Sequence, residues 1–244
     1  EFAVHLPQRP NTPFTQAMNT PSCWQPALDH SRYLRQLFAA RPALIEELAS
    51  TWKVPLSEDT LRSQLNSEPG DEEALHALLR RLRQRILAHL ILRDLAGNAP
   101  LSEITESMTL LAEVTTNFAL SWLHRHLSAQ FGAPLDSQSC LQHLMVIGMG
   151  KLGGRELNVS SDVDFIFIYP EEGETAGPRR IENFEFFSRL GKRLIAALDD
   201  KTADGQVFRV DMRLRPYGDS GPLVCSLTAL ETYFMAQGRE WERY

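Results

Sequence analysis

The sequence predicts an α+β protein, with a helical N-terminal region followed by alternating strands and helices. Three observations carry this. From about residue 27 to about residue 130, apolar residues recur at helical spacing, with breaks at Pro42, Pro69-Gly70 and Pro100. At 134–139 the character changes. Beyond it, Val163 to Tyr169 is a continuous apolar run of the kind a strand buried on both faces shows, and Val207 to Arg213 alternates apolar and polar.

The elements follow in order. Residues 1–26 are rich in Pro, Asn, Thr and Ser and read as an extended lead-in. Residues 27–135 form the helical region. Tyr33, Leu34, Leu37 and Phe38, then Leu44, Ile45 and Leu48, mark two helices, and Ser57-Glu58-Asp59-Thr60 opens a short third. A long helix follows Pro69-Gly70, starts with acidic residues and ends near Gly97; its stripe includes Leu75, Leu79, Leu82 and Ile86. Arg80, Arg81, Arg83 and Arg85 crowd this helix and read as a solvated basic face. Ser102 to about Gln130 is one more helix, ended by Gly132 and Pro134. His124 and His126, two apart, fall on different faces and read as surface or packing residues rather than metal ligands. Residues 136–244 then hold a strand at Leu144–Ile147, the strand at Val163–Tyr169, an amphipathic helix over Glu182–Leu198, a strand over Val207–Arg213 and a final helix from Ser226.

Composition narrows the function classes. With 43% hydrophobic and 23% charged residues, the chain is ordinary for a globular protein. A net charge of -6 supplies no global attraction for nucleic acid. Three scattered cysteines have no zinc or disulfide spacing and suit a reducing, cytoplasmic setting. No apolar run reaches membrane-spanning length. The chain opens on Glu1-Phe2 rather than methionine and stops at Tyr244 inside an apparent helix, so part of a longer protein is expected.

The informative segment runs from Ile147 to Tyr169. A strand ends in Gly148-Met149-Gly150, a glycine-rich turn over Lys151–Gly154 opens a short helix, and Ser160-Ser161 leads into Asp162-Val163-Asp164 at the head of the apolar strand. Glycine backbone can approach phosphate oxygens closely, and Lys151 adds positive charge. The pattern is neither a Walker A loop nor a dinucleotide fingerprint. Residues two apart in a strand share a face, about 7 Å apart. Asp162 and Asp164 can therefore converge on a hard cation such as Mg2+; the alternative for a bare Asp-x-Asp is turn capping or pairing with arginine. A third acid is expected on a neighbouring strand. Asp211 fits, with Asp219 in a glycine-rich loop as its competitor. Two metals about 4 Å apart would clamp the attacking and leaving oxygens. Arg209, Arg213 and Arg215 flank Asp211 and either fork onto phosphate or pair with the acids.

The glycine turn followed by Asp-x-Asp resembles the DNA polymerase beta-like nucleotidyltransferases. The longer string Gly150-Lys151-Leu152-Gly153-Gly154-Arg155-Glu156-Leu157-Asn158, then Ser161-Asp162-Val163-Asp164, Arg209 to Pro216, Ser220 to Val224 and Gly238 to Tyr244, resembles the bacterial glutamine synthetase adenylyltransferase/adenylyl-removing family over residues 141 to 244. That resemblance implies a small mixed β-sheet flanked by helices. It implies Mg2+ on Asp162, Asp164 and Asp211, and nucleotide or phosphate contacts from Gly150, Lys151, Gly153, Gly154, Ser161, Arg213 and Arg215. Family members are long bifunctional proteins in which the N-terminal domain removes AMP from a tyrosine of glutamine synthetase and the C-terminal domain adds it. The helical lead, Asn158-Val159-Ser160-Ser161, Met212 and Gly238-Arg239-Glu240-Trp241 resemble the N-terminal copy. The implied reaction is deadenylylation by phosphate with release of ADP. ATP-dependent adenylylation, or a docking module for the synthetase or a regulatory protein, is the alternative. The implied partners are glutamine synthetase, adenine nucleotide, phosphate and, in the full-length enzyme, the PII signalling protein; nucleic acid and membrane are not expected.

Overall fold

A computed structural model describes residues 20–238. The lead-in up to residue 19 and the motif residues after Gly238 lie outside the described residues. The fold is α+β, as expected: a mostly helical chain with a small mixed sheet. Its helices are α1 (Gln25–His30), α2 (Arg32–Ala40), α3 (Ala43–Ala49), α4 (Glu58–Ser63), α5 (Glu72–Leu95) and α6 (Leu101–Phe131). After these come β1 (Pro134–Leu135), β2 (Met145–Met149), α7 (Gly150–Gly153), β3 (Val163–Tyr169), β4 (Glu174–Thr175), α8 (Asn183–Asp199), β5 (Val210–Asp211), β6 (Val224–Ser226) and α9 (Leu227–Ala236).

Two compact units are formed, one from residues up to Val54 with Ala88–Asn98, the other from Pro55–Leu87 with Ala99 onward. The first is helical. Trp24 is fully buried among Leu34, Phe38, Leu48 and Trp52, stacking on Phe38 at 5.7 Å. The end of the expected lead-in is therefore core rather than tail. Ser31 caps α2 by accepting from the Leu34 amide, as N-cap serines do.

In the second unit β3 is the axis of the sheet. It pairs antiparallel with β2 along one edge. Its other edge is shared by β5 at its start and β6 at its end, both parallel. Alternation divides β3 between two faces. Val163, Phe165, Phe167 and Tyr169 are buried on the side of α8. Tyr169 stacks on Phe187 at 5.1 Å, and a Cβ on Gly191 of α8 would come within 2.9 Å of Phe167. Each such burial contributes about 2 kcal/mol. Asp164, Ile166 and Ile168 take the other face, beside the exposed Met145 and Ile147 of β2. β3 is thus anchored from behind and open in front at its Asp164 end.

Two expectations need correction. The strand expected over Val207–Arg213 is only Val210–Asp211. The Val207 and Phe208 amides instead donate to the Leu198 carbonyl at the end of α8, and Asp211 accepts from the Arg213 amide, turning the chain. The arginines of α5 are also not a uniformly solvated face. Arg80 is fully buried and donates to the carbonyls of His76, Ala197, Asp200 and Gly205. Arg83 reaches the Val159 carbonyl and lies 4.4 Å over the Phe208 ring.

Candidate active site

The site begins where β2 ends. Met149 pairs with Asp164 across the antiparallel edge, and the next residue, Gly150, turns the chain with φ 53°. A Cβ there would lie 2.7 Å from Asp164 Oδ2. Only glycine satisfies both the left-handed backbone and the contact. The turn therefore rests directly against the carboxylate. α7 then carries Lys151 outward and buries Leu152. The Gly154 and Glu156 amides close the turn on the Gly150 and Lys151 carbonyls.

The acids arrive from three directions. Asp162 leaves the bend in which the Ser161 amide donates to Asn158. Asp164 is the second residue of β3. Asp211 lies beside it in parallel register, so both side chains share the open face. Asp219 sits in a separate turn over Gly218–Ser220, largely exposed and 3.6 Å from Arg215 Nη1. The register thus brings Asp211, not Asp219, to Asp164.

Each outer acid holds an arginine. Arg209 Nε contacts Asp162 Oδ1, while its Nη2 donates to the Ser160 carbonyl at 2.8 Å. Arg213 forks onto Asp211, with Nε donating to Oδ1 at 3.1 Å and to Oδ2 at 2.8 Å. Arg215 is mostly buried and donates to the Met212 carbonyl at 2.7 Å. Of the two roles open to these arginines, the structure displays pairing within the cluster and its loop.

The electrostatics follow. Burial, then the like charges of Asp211 and Asp162, push the Asp164 carboxyl above the usual carboxylate range; Arg213 and Lys151 offset part of this. The Arg213 fork holds Asp211 below that range. Among the described residues no three His, Cys, Asp or Glu side chains stand ready to enclose a metal. The donors nevertheless suit a hard cation: carboxylate oxygens from adjacent segments, the central one disfavoured as a bare anion. For all three to hold one, Asp162 and Asp211 would exchange an arginine for it.

Sequence reasoning did not find the supports beneath this site. Arg80 and Arg83 fix the segments leading to β5 and β3. Asp199 accepts from Gln206 at 2.6 Å and from the Val210 amide at 3.3 Å, so it steers the chain into β5. Their partners are remote in sequence, and no local pattern signals them. Among the described residues no helix is long and apolar enough to cross a membrane.

Comparison with known proteins bears on the chemistry. The family model described as glutamate-ammonia ligase adenylyltransferase matches residues 25–244. A bifunctional glutamine synthetase adenylyltransferase/adenylyl-removing enzyme from Aromatoleum aromaticum is 54% identical over 224 residues, covering 92% of this chain and 24% of the relative. Relatives of the same description from Burkholderia mallei and Chromobacterium violaceum are each 52% identical, covering 89% and 93% of this chain and 24% and 25% of their own lengths. The chain therefore spans about a quarter of the curated relatives it matches.

Proposed function

Because the chain belongs to the glutamate-ammonia ligase adenylyltransferase family, we propose that its site is a nucleotidyltransferase centre that removes AMP from adenylyl-tyrosine of glutamine synthetase. The observation that carries the chemistry is the parallel register of Asp164 with Asp211 beside the Gly150 turn. The direction rests on the resemblance of 158–161 and Met212 to the N-terminal copy of the family.

In this reading an orthophosphate oxygen attacks the AMP phosphorus. A new P–O bond forms as the bond to the tyrosine oxygen breaks, and the phenol recovers a proton. The products are ADP and unmodified synthetase. Asp162, Asp164 and Asp211 would hold Mg2+, which supplies charge neutralisation and alignment for an in-line displacement. The turn from Gly150 to Gly154 presents backbone beside Asp164, so close that any side chain at position 150 would meet that carboxylate. Lys151 adds a positive charge near the same carboxylate, and Arg213, once released from Asp211, is a second cation for the reacting phosphates.

The test is phosphate- and Mg2+-dependent release of ADP from adenylylated glutamine synthetase. Asp164→Asn should lower the rate by about a thousandfold or more, the scale of losing a principal electrostatic group. Full activity in that variant would refute the site. The reverse transfer employs the same groups, so a parallel incubation with ATP and unmodified synthetase decides the direction.

A further inference from the structure

The glycine turn must stay against Asp164, yet the side of it facing α6 is not solidly packed. A cavity of about 270 Å³ lies there, bordered by Glu113, Thr116, Gly148, Gly153, Arg155 and Phe165. The Thr116 hydroxyl, on a residue that is 5% exposed, has no hydrogen-bond partner. Apolar contact alone therefore does not set the position of the turn on this side.

Arg155 spans the gap. It is the last residue of the Gly-Gly-Arg turn and stands at φ 58°, a conformation that costs a non-glycine residue unless its surroundings enforce it. Its guanidinium forks onto Glu106, with Nε donating to the two oxygens at 3.2 and 3.1 Å. Nη1 donates to Glu113 Oε1 at 2.6 Å. Glu106, Thr109 and Glu113 recur at i, i+3 and i+7, so they form one stripe along α6. The Thr109 hydroxyl, between the two acids, accepts from the Leu157 amide at 3.4 Å. One helix face thus grips the exit of the turn at three successive points.

From this geometry we infer that Arg155 is a positioning residue: its fork onto Glu106 and its bond to Glu113 strap the glycine turn to α6 and so keep Gly150 seated against Asp164. The inference rests on the reading of Asp164 as a catalytic acid. Exposure separates this role from a purely structural one. All three side chains are 40% or more exposed, and ion pairs so exposed add little to global stability. A planar fork still fixes orientation, and a displacement of about 1 Å at reacting groups can cost on the order of a hundredfold in rate. Loss of the strap should therefore appear in turnover and not in melting temperature.

The experiment compares wild type, the double variant Glu106→Gln/Glu113→Gln, Arg155→Asn and Asp164→Asn. The double variant leaves the turn's own sequence untouched, and asparagine tolerates the left-handed backbone. Three measurements are made: ADP release with saturating phosphate and Mg2+, the melting temperature, and amide hydrogen exchange over residues 150–157. The expected result is a fall in kcat of about 10- to 100-fold in both strap variants, a melting temperature within about 2 °C of wild type, and faster exchange of the Gly154 and Glu156 amides with β3 still protected. Strap variants with kcat within about twofold of wild type, or unchanged exchange in the turn, would overturn the inference while Asp164→Asn remains inactive. If Asp164→Asn keeps its activity, the reading of the site fails instead, and the exchange arm alone decides the strap.

Discussion

At Asp164 three effects act on one carboxyl group: burial, the like charges of Asp211 and Asp162, and the opposing cations Arg213 and Lys151. The first two win, so the folded protein resists ionising it. A carboxyl whose pKa is raised on folding favours the native state most when protonated, and that contribution is lost as pH rises through the folded value. At neutral pH the charge is therefore a burden, and Asp164→Asn should raise the melting temperature, by on the order of 2 °C, while it abolishes turnover. Asp211 has the opposite sign. Its pKa is held down by the Arg213 fork, so its charge is stabilising above the ordinary carboxylate pKa, and Asp211→Asn should lower the melting temperature at pH 7. Millimolar Mg2+ should stabilise wild type by mass action and leave both variants nearly unmoved. Thermal scans of the three proteins with and without Mg2+ check all of this, and equal shifts in wild type and Asp164→Asn would count against a metal at these acids.

Among the elements, those with a long local pattern were legible. β3 was read over its full extent because seven consecutive residues on a doubly flanked strand leave a continuous signature, and α6 and α8 matched to within a residue or so. The glycine turn and the first two acids were legible because they are contiguous. β5 was overextended: alternation from Val207 to Arg213 mimics a strand, but the ladder is two residues long because α8 and the Asp211–Arg213 turn claim the flanking amides. The roles of Arg80 and Arg155 were invisible for a different reason. An arginine on a helix or in a turn looks the same whether it meets water or carbonyls more than a hundred residues away, as Arg80 does at Ala197, Asp200 and Gly205. That burial makes Arg80 the strongest structural prediction of this element. Arg80→Ala removes a charged donor from four carbonyls and should cost about 3 kcal/mol, read as a lower urea midpoint. It should also loosen the entry to β5, so that activity falls below what the unfolded fraction accounts for.

For the molecule as a whole, the response to acid separates global from local charge. The chain carries a net charge of -6 at pH 7 and its pI is about 5.7. Acidification from neutrality toward that point reduces net charge, so self-repulsion falls and the global effect on stability is favourable. Two histidines act the other way. Burial, then the nearby Arg80 charge, lowers His76 below 6.5. Burial, partly offset by the Gln142 carbonyl at 3.3 Å, lowers His124, which also packs at 5.0 Å from His143 and 5.5 Å from Phe186. For a histidine with a depressed folded pKa the unfolded chain binds the proton first, so stability is full above 6.5 and declines as pH falls below it. Asp164, with its raised value, contributes in the reverse sense at lower pH and cannot produce this loss. Wild type should therefore lose stability between pH 7.5 and about 5.8 even as its net charge shrinks, and the double variant His76→Gln/His124→Gln should show a shallower slope over the same interval. Urea unfolding at both pH values gives the slope directly. Identical slopes in the two proteins would assign the acid response to groups other than these half-buried imidazoles.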